Sequence, residues 1–228
     1  MTALSKFPTT SRGVLLFSFN NETMDYSSLA LECARRVQTH LGLPVSVVTD
    51  VAIEGLDCIL VSSPSSSKRN YPEYQQDLSF LNGARVNAYD LSPFDETLVI
   101  DTDYLLQSNA LNKCFDCLDT WGLKLSKSAF NIDTSELPED LSTVGPDGLP
   151  MYWATVLVFN KSPVARQFFQ YWKDVIHNWE VYVTLFRLHS PLLRNDFAVT
   201  IALHRMFWSQ GIPLEISLGL KLATVPHY

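Results

Sequence analysis

The chain has 228 residues, 46% hydrophobic, 12% aromatic and 18% charged, enough apolar material for a sizeable core and too much for a wholly disordered tail. Its 17 basic and 24 acidic residues leave a formal net charge of -7, which argues against a general nucleic-acid backbone binder, because such proteins carry a basic stripe. No apolar run approaches about 18 residues, and the opening MTALSKFPTT lacks the charged and apolar regions of a signal peptide, so a cytoplasmic protein is expected. No Gly/Ser or Pro-rich linker divides the sequence, and one domain over 1–228 is expected.

In chain order, GVLLFSF (13–19) reads as a buried strand. Residues 25–41 carry helical spacing until Gly42 and Pro44 stop them. VSVVT (45–49), ending at Asp50, and DCILV (57–61) are the next strands. The polar SSPSSSKRNYPEYQQ reads as a serine-rich loop running into a short helix, and Arg35 and Arg36 as a solvated helix face. TLVID (97–101) is a further strand, followed by a helix near 108–119 capped by Ser108. Residues 131–150, rich in Pro, Gly, Asp and Ser, read as a long mobile loop. YWATVLVF (152–159) is a strand, and Ser162-Pro163 starts a helix that runs to about His177. Asn195 or Asp196 caps a helix that Gly211 and Pro213 end, and LEIS and KLATV are short strands before the tail PHY. Strands alternating with helices predict a mainly parallel sheet covered on both faces.

The four cysteines, Cys33, Cys58, Cys114 and Cys117, are too unevenly spaced for a disulfide framework. Cys114 and Cys117 could be half of a zinc site or a redox pair, but no second close pair or neighbouring His completes a ligand set, and two small apolar helix residues is the preferred reading. His40, His177, His189 and His204 sit in helical or apolar surroundings and read as structural. The Phe168, Phe169, Tyr171, Trp172 and Trp179 cluster has helical spacing and reads as core, any exposed part of it serving as a homodimer surface.

Asp101-Thr102-Asp103 carries the strongest chemical signal. Two carboxylates two apart on extended backbone face one side and can share a hard cation, at the strand end where open α/β sheets place ligands. With 15 aspartates in the chain, about one such triplet arises by chance. The apolar strand ending abruptly in carboxylates outweighs that background, the alternative being a solvated strand end with Asp103 capping a turn.

The string SPFDETLVIDTDYLL, together with the order of strands and Asp50 closing the second of them, resembles the metal-dependent GT-A glycosyltransferases, and its glycogenin and galactosyltransferase-like branch in particular. YWATVLVFNKSP is similar to the strand after the acceptor loop there, where a small residue stands near Ala154 or Thr155. The length suits a minimal version of the fold, of the kind a phage would encode for use in its host's cytoplasm.

The resemblance implies a Rossmann-like α/β sheet and a hexosyltransferase that moves a sugar from a UDP-sugar to an acceptor hydroxyl with Mn²⁺ or Mg²⁺. It implies that Asp101 and Asp103 hold the cation, Asp103 directly and Asp101 also reaching the ribose. His227 would complete the shell or be a tail residue. Phe17, Ser18, Phe19 and Asn20 would contact the nucleoside, with Asp50 either accepting a hydrogen bond from it or merely ending a turn. Lys68 and Arg69 would neutralise phosphate or be loop charges. Asp196 would contact the donor sugar or act as base, a helix cap being the other reason for it. Trp153 would stack on a sugar or belong to the core.

Two rival readings stand beside this one. One is a catalytically silent nucleotide-binding protein of the same fold. The other is a nucleotidyltransferase making nucleotide sugars, whose early Gly-rich phosphate loop GVLLFSFNNET lacks.

Overall fold

The structure is a computed structural model that describes residues 11–64, 67–71, 76–118, 121–131, 143–146, 148–188, 192–210, 218–219 and 221–224. Strand β1 (Arg12–Ser18) has Val14, Leu15, Leu16 and Phe17 all buried. An unbroken apolar run without alternation is what a central strand covered on both faces requires. It pairs in parallel with β2 (Val45–Thr49) on one side and β6 (Glu96–Ile100) on the other. Gly13 packs against the ring of Phe94 so closely that any Cβ would collide with it.

Between β1 and β2 runs helix α1 (Tyr26–Leu41). The Asp25 carboxylate caps it by accepting from the Ser27 and Ser28 backbone N–H groups, and Gly42, at φ 67°, turns the chain out. Its buried stripe is Ala30, Cys33, Ala34, Val37 and Leu41, the spacing of one helical face.

Strand β3 (Asp57–Leu60) adds in parallel to β2. The expected loop and short helix beyond it are instead an antiparallel hairpin, β4 (Ser67–Tyr71) and β5 (Gln76–Phe80). Tyr71 precedes Pro72, a position that disfavours helical backbone and favours extended chain. A 3-10 turn (Asn82–Asn87) and one helical turn, α2 (Ala88–Leu91), lead into β6; the sequence pattern did not indicate either. The helix expected near 108–119 is only a 3-10 turn (Ala110–Asn112) and one α-turn, α3 (Lys113–Asp116). Asn109 and Asn112 favour turns over helix interior, and of the two cysteines there Cys114 is buried while Cys117 is exposed, so they do not form one apolar face.

Strands β7 (Leu123–Ser126) and β8 (Ser128–Asn131) follow. Within the stretch expected to be a loop, the described residues form a short antiparallel pair, β9 (Thr143–Val144) and β10 (Leu149–Pro150). Strand β11 (Trp153–Asn160) and helix α4 (Pro163–His177) agree with the sequence reading, Ser162 capping the helix at the Ala165 N–H. Helix α5 (Trp179–Leu185) was not expected; α6 (Asn195–Gln210) and β12 (Lys221–Thr224) were. LEIS lies outside the described residues.

The main sheet has the order β3-β2-β1-β6-β11-β7. β11 is antiparallel to both of its neighbours, whereas β3, β2, β1 and β6 run parallel. The carboxyl end of β6 therefore meets the amino end of β11, Val156 opposite Ile100. On one face α4 and α6 cover the sheet, Phe168, Phe169 and Trp172 fully buried with Phe159 and Phe169 edge to face at 4.9 Å. That places most of the aromatic cluster in the core.

Candidate functional site

Asp101 leaves the end of β6 with its carboxylate Oδ1 2.5 Å from a terminal nitrogen of the Arg85 guanidinium. Arg85, on the 3-10 turn, is 3% exposed and donates from its other terminal nitrogen to the Ala154 carbonyl at 3.1 Å. Its Nε is buried with no partner among the described residues. A buried guanidinium needs a carboxylate and several acceptors to offset its desolvation, and this one lacks one acceptor.

Ala154 has no strand partner on either side. Its ladder with β6 begins at Val156, and that with β7 jumps from Trp153 to Leu157. The bulge leaves the Ala154 peptide groups for side chains, and while the carbonyl takes Arg85, the N–H donates to Asp196 Oδ1 at 2.9 Å. Asp196 sits in the first turn of α6, where the helix dipole favours a carboxylate, and its Oδ2 faces an Arg194 nitrogen at 3.3 Å. Asn195, buried, donates to the Asn82 carbonyl and so ties α6 to the turn that carries Arg85.

Three carboxylates thus converge. Burial pushes the Asp101 carboxyl up to about 6; Arg85 pulls it down, the Asp103 and Asp196 charges push it up, and a Thr155 hydrogen bond pulls it down. Asp103, by contrast, is exposed, with no hydrogen bond or ion pair to a described residue. Thr102 between them is buried. Beneath the turn the Cys33 thiol, pushed up to about 12 by burial and the nearby aspartates, donates to the Asp101 carbonyl at 3.8 Å.

Of the other sequence-derived residues, Phe17, Ser18 and Phe19 are buried, the Ser18 hydroxyl without a partner among the described residues. Asn20 is exposed, and its Oδ1 accepts from the Ser27 N–H at 3.0 Å at the start of α1. Asp50, exposed at the end of β2, accepts from the Ser63 hydroxyl at 2.7 Å. Trp153 and Ala154 are buried and Thr155 half-buried. The Lys68 and Arg69 side chains, and His227 entirely, lie outside the described residues. Among the described residues no three His, Cys, Asp or Glu side chains are grouped to hold a metal ion by themselves. Asp101 and Asp103 are the carboxylates at this strand end that could hold a hard cation, and Asp103 has no ion pair with a described residue.

Arg85 is the residue that sequence reasoning missed. The available signal was a lone arginine flanked by Ala84 and Val86 in LNGARVNAY, an apolar context in which a cation needs a buried partner.

No protein-family model matches this sequence, and no curated protein matches it. Among solved structures, the chain is similar to the galactosyltransferase LgtC in complex with donor and acceptor sugar analogues, at 14% identity over 84% of this chain and 70% of that one, TM-score 0.52. An active-site mutant of LgtC aligns over 93% of this chain and 72% of that one, at 12% identity and TM-score 0.54. At these identities the likeness concerns the backbone alone, and with the sheet order and helices described above it gives the conclusion that this chain has the GT-A nucleotide-diphospho-sugar transferase fold.

Proposed function

We propose that the protein is a metal-dependent glycosyltransferase that moves a hexose from a UDP-sugar to an acceptor hydroxyl. The observation that carries this reading is the exposed, unpaired Asp103 two residues beyond the anchored Asp101, with Asp196 joined to the same place through Ala154. Asp101 and Asp103 would hold Mn²⁺ or Mg²⁺, and on the resemblance alone His227 is proposed as a further ligand. The cation would supply positive charge to the departing diphosphate in a protein of net charge -7.

The remaining roles fall to the chain's own groups. Arg85 would anchor Asp101 at the strand end through its ion pair. The nucleoside would lie over the ends of β1 and β2, meeting Asp50 and Asn20, while Phe17, Ser18 and Phe19, with buried side chains, would contribute through their backbone. Lys68 and Arg69 would neutralise phosphate. Asp196 is proposed to accept a hydrogen bond from a donor-sugar hydroxyl or the proton of the acceptor hydroxyl, and Trp153 and Thr155 to line the sugar's path.

Calorimetric titration of UDP in Mn²⁺ tests the site. Asp103→Asn should weaken metal-dependent UDP binding by about tenfold or more. Equal affinity in the variant and the parent would remove the cation from the Asp101 and Asp103 pair.

A further inference from the structure

At the far end of β11 from Ala154, seven residues and about 23 Å along the strand, the chain turns through Lys161 into α4. There Tyr89, Lys161, Pro163, Arg166, Gln167 and Gln170 line a cleft of about 480 Å³. It shares no residue with the carboxylate site.

Two cations face one ring in this cleft. The Lys161 ammonium lies 4.9 Å and the Arg166 guanidinium 5.8 Å from the centroid of Tyr89. The ring is held in place by its hydroxyl, which donates to the Lys161 carbonyl at 3.0 Å. Lys161 Nζ donates to the Tyr89 and Ser92 backbone carbonyls, which fixes its position and leaves one of its three protons. Neither cation has a carboxylate within ion-pair distance among the described residues. Of the nearby acids, Asp90 is paired with Lys173 at 2.6 Å and Asp95 accepts from Ser11 at 2.9 Å. Burial pulls the Lys161 ammonium down, partly offset by those two aspartates.

Both cations are exposed to the cleft, and an anion that reached both would be held by two charged donors. Two cations without an ion-pair partner among the described residues match a phosphate monoester, a dianion above its second pKa of about 6, better than a singly charged carboxylate. The exposed amide side chain of Gln170, which lines the cleft, offers donors and an acceptor of the kind that meet hydroxyl groups. The volume exceeds what a bare phosphate fills and leaves room for a sugar ring.

We infer that this cleft is a binding site for the phosphate monoester of a sugar or similar polyol. The test is calorimetric titration of the intact chain at constant ionic strength and about pH 7.5, where the phosphate is a dianion, with glucose 6-phosphate, inorganic phosphate and glucose as probes. Glucose 6-phosphate should bind saturably and about tenfold more tightly than either other probe. Arg166→Gln, an exposed substitution, should weaken it about tenfold, and Gln170→Ala should weaken glucose 6-phosphate but leave inorganic phosphate unchanged. Asp103→Asn should leave all three probes unchanged, which separates this cleft from the carboxylate site. Absence of saturable binding, or binding indifferent to Arg166→Gln, overturns the inference. Equal affinity for inorganic phosphate and glucose 6-phosphate overturns the sugar part of it.

Discussion

Asp196 and Arg85 grip the same residue from two elements, the carboxylate of one taking the Ala154 N–H and the guanidinium of the other taking its carbonyl. Through Arg85 the grip reaches Asp101, so a bulge in β11 joins the start of α6 to the end of β6. Removing Arg85 would leave Asp101 half-buried among two other carboxylates. Arg85→Met should cost about 2 to 4 kcal/mol, below the upper range for a buried pair because water still reaches Asp101. Adding Asp101→Asn should recover part of the loss, and a double-mutant cycle in urea checks this.

Asp196→Asn and Asp196→Ala should differ in kind. Asparagine keeps an acceptor for the Ala154 N–H and should change stability by less than about 0.5 kcal/mol. Alanine orphans that buried N–H and should cost about 1 to 2 kcal/mol. If Asp196 serves the reaction, both variants lose turnover alike; denaturant midpoints and initial rates on the same samples separate the two effects.

Acid should loosen the packing of α4 against α6. Asp174 accepts from Arg205, which lies over the Tyr171 and Tyr182 rings at 4.9 and 5.4 Å, and this hydrogen bond holds the Asp174 carboxyl below its usual value of 3.8. A carboxyl depressed in the folded state contributes stability that is fully present above 3.8 and is lost as the pH falls through the lower folded value. Asp174→Asn should therefore be less stable than the parent at neutral pH and converge with it as the pH falls through the lowered folded value. Thermal unfolding across pH reads the difference; a gap that persists unchanged into strong acid would place the effect in packing.

Thiol labelling should separate Cys117 from Cys33 and Cys114 by burial. Cys117 is exposed, whereas Cys33 and Cys114 are buried and burial pushes both thiols up to about 12. A thiol reagent at neutral pH should modify Cys117 first, with Cys33 and Cys114 reacting only as the protein unfolds. Mass spectrometry of timed samples identifies the order.

The architecture was legible where apolar runs were long and sharply ended. GVLLFSF, VSVVT, TLVID and YWATVLVF announced the buried strands, and Gly42 with Pro44 and Ser162-Pro163 marked helix boundaries. The Asp101 and Asp103 pair was visible because carboxylates follow an apolar strand, but the two stand on a turn closed by the Tyr104 N–H on the Asp101 carbonyl at 3.1 Å, not on the extended backbone expected to face them one way. Arg85 was hidden because its partners are 16 and 69 residues away, on Asp101 and Ala154, and no local spacing reports a contact made only by the sheet's closure. The hairpin at 67–80 escaped for a related reason: its strands are polar, and their pairing with each other, rather than hydrophobic periodicity, defines them. The small turns around 82–91 and 110–116 are too short to show a helical period.

The most direct measurement is release of nucleotide from a panel of nucleotide sugars in Mn²⁺, run with parent and Asp103→Asn and repeated with a chelator present. The account predicts UDP release from at least one UDP-sugar by the parent, its abolition by the chelator, and its absence in the variant. Release that survives both the chelator and Asp103→Asn, or no release from any donor by a parent that still binds UDP and Mn²⁺, would contradict it.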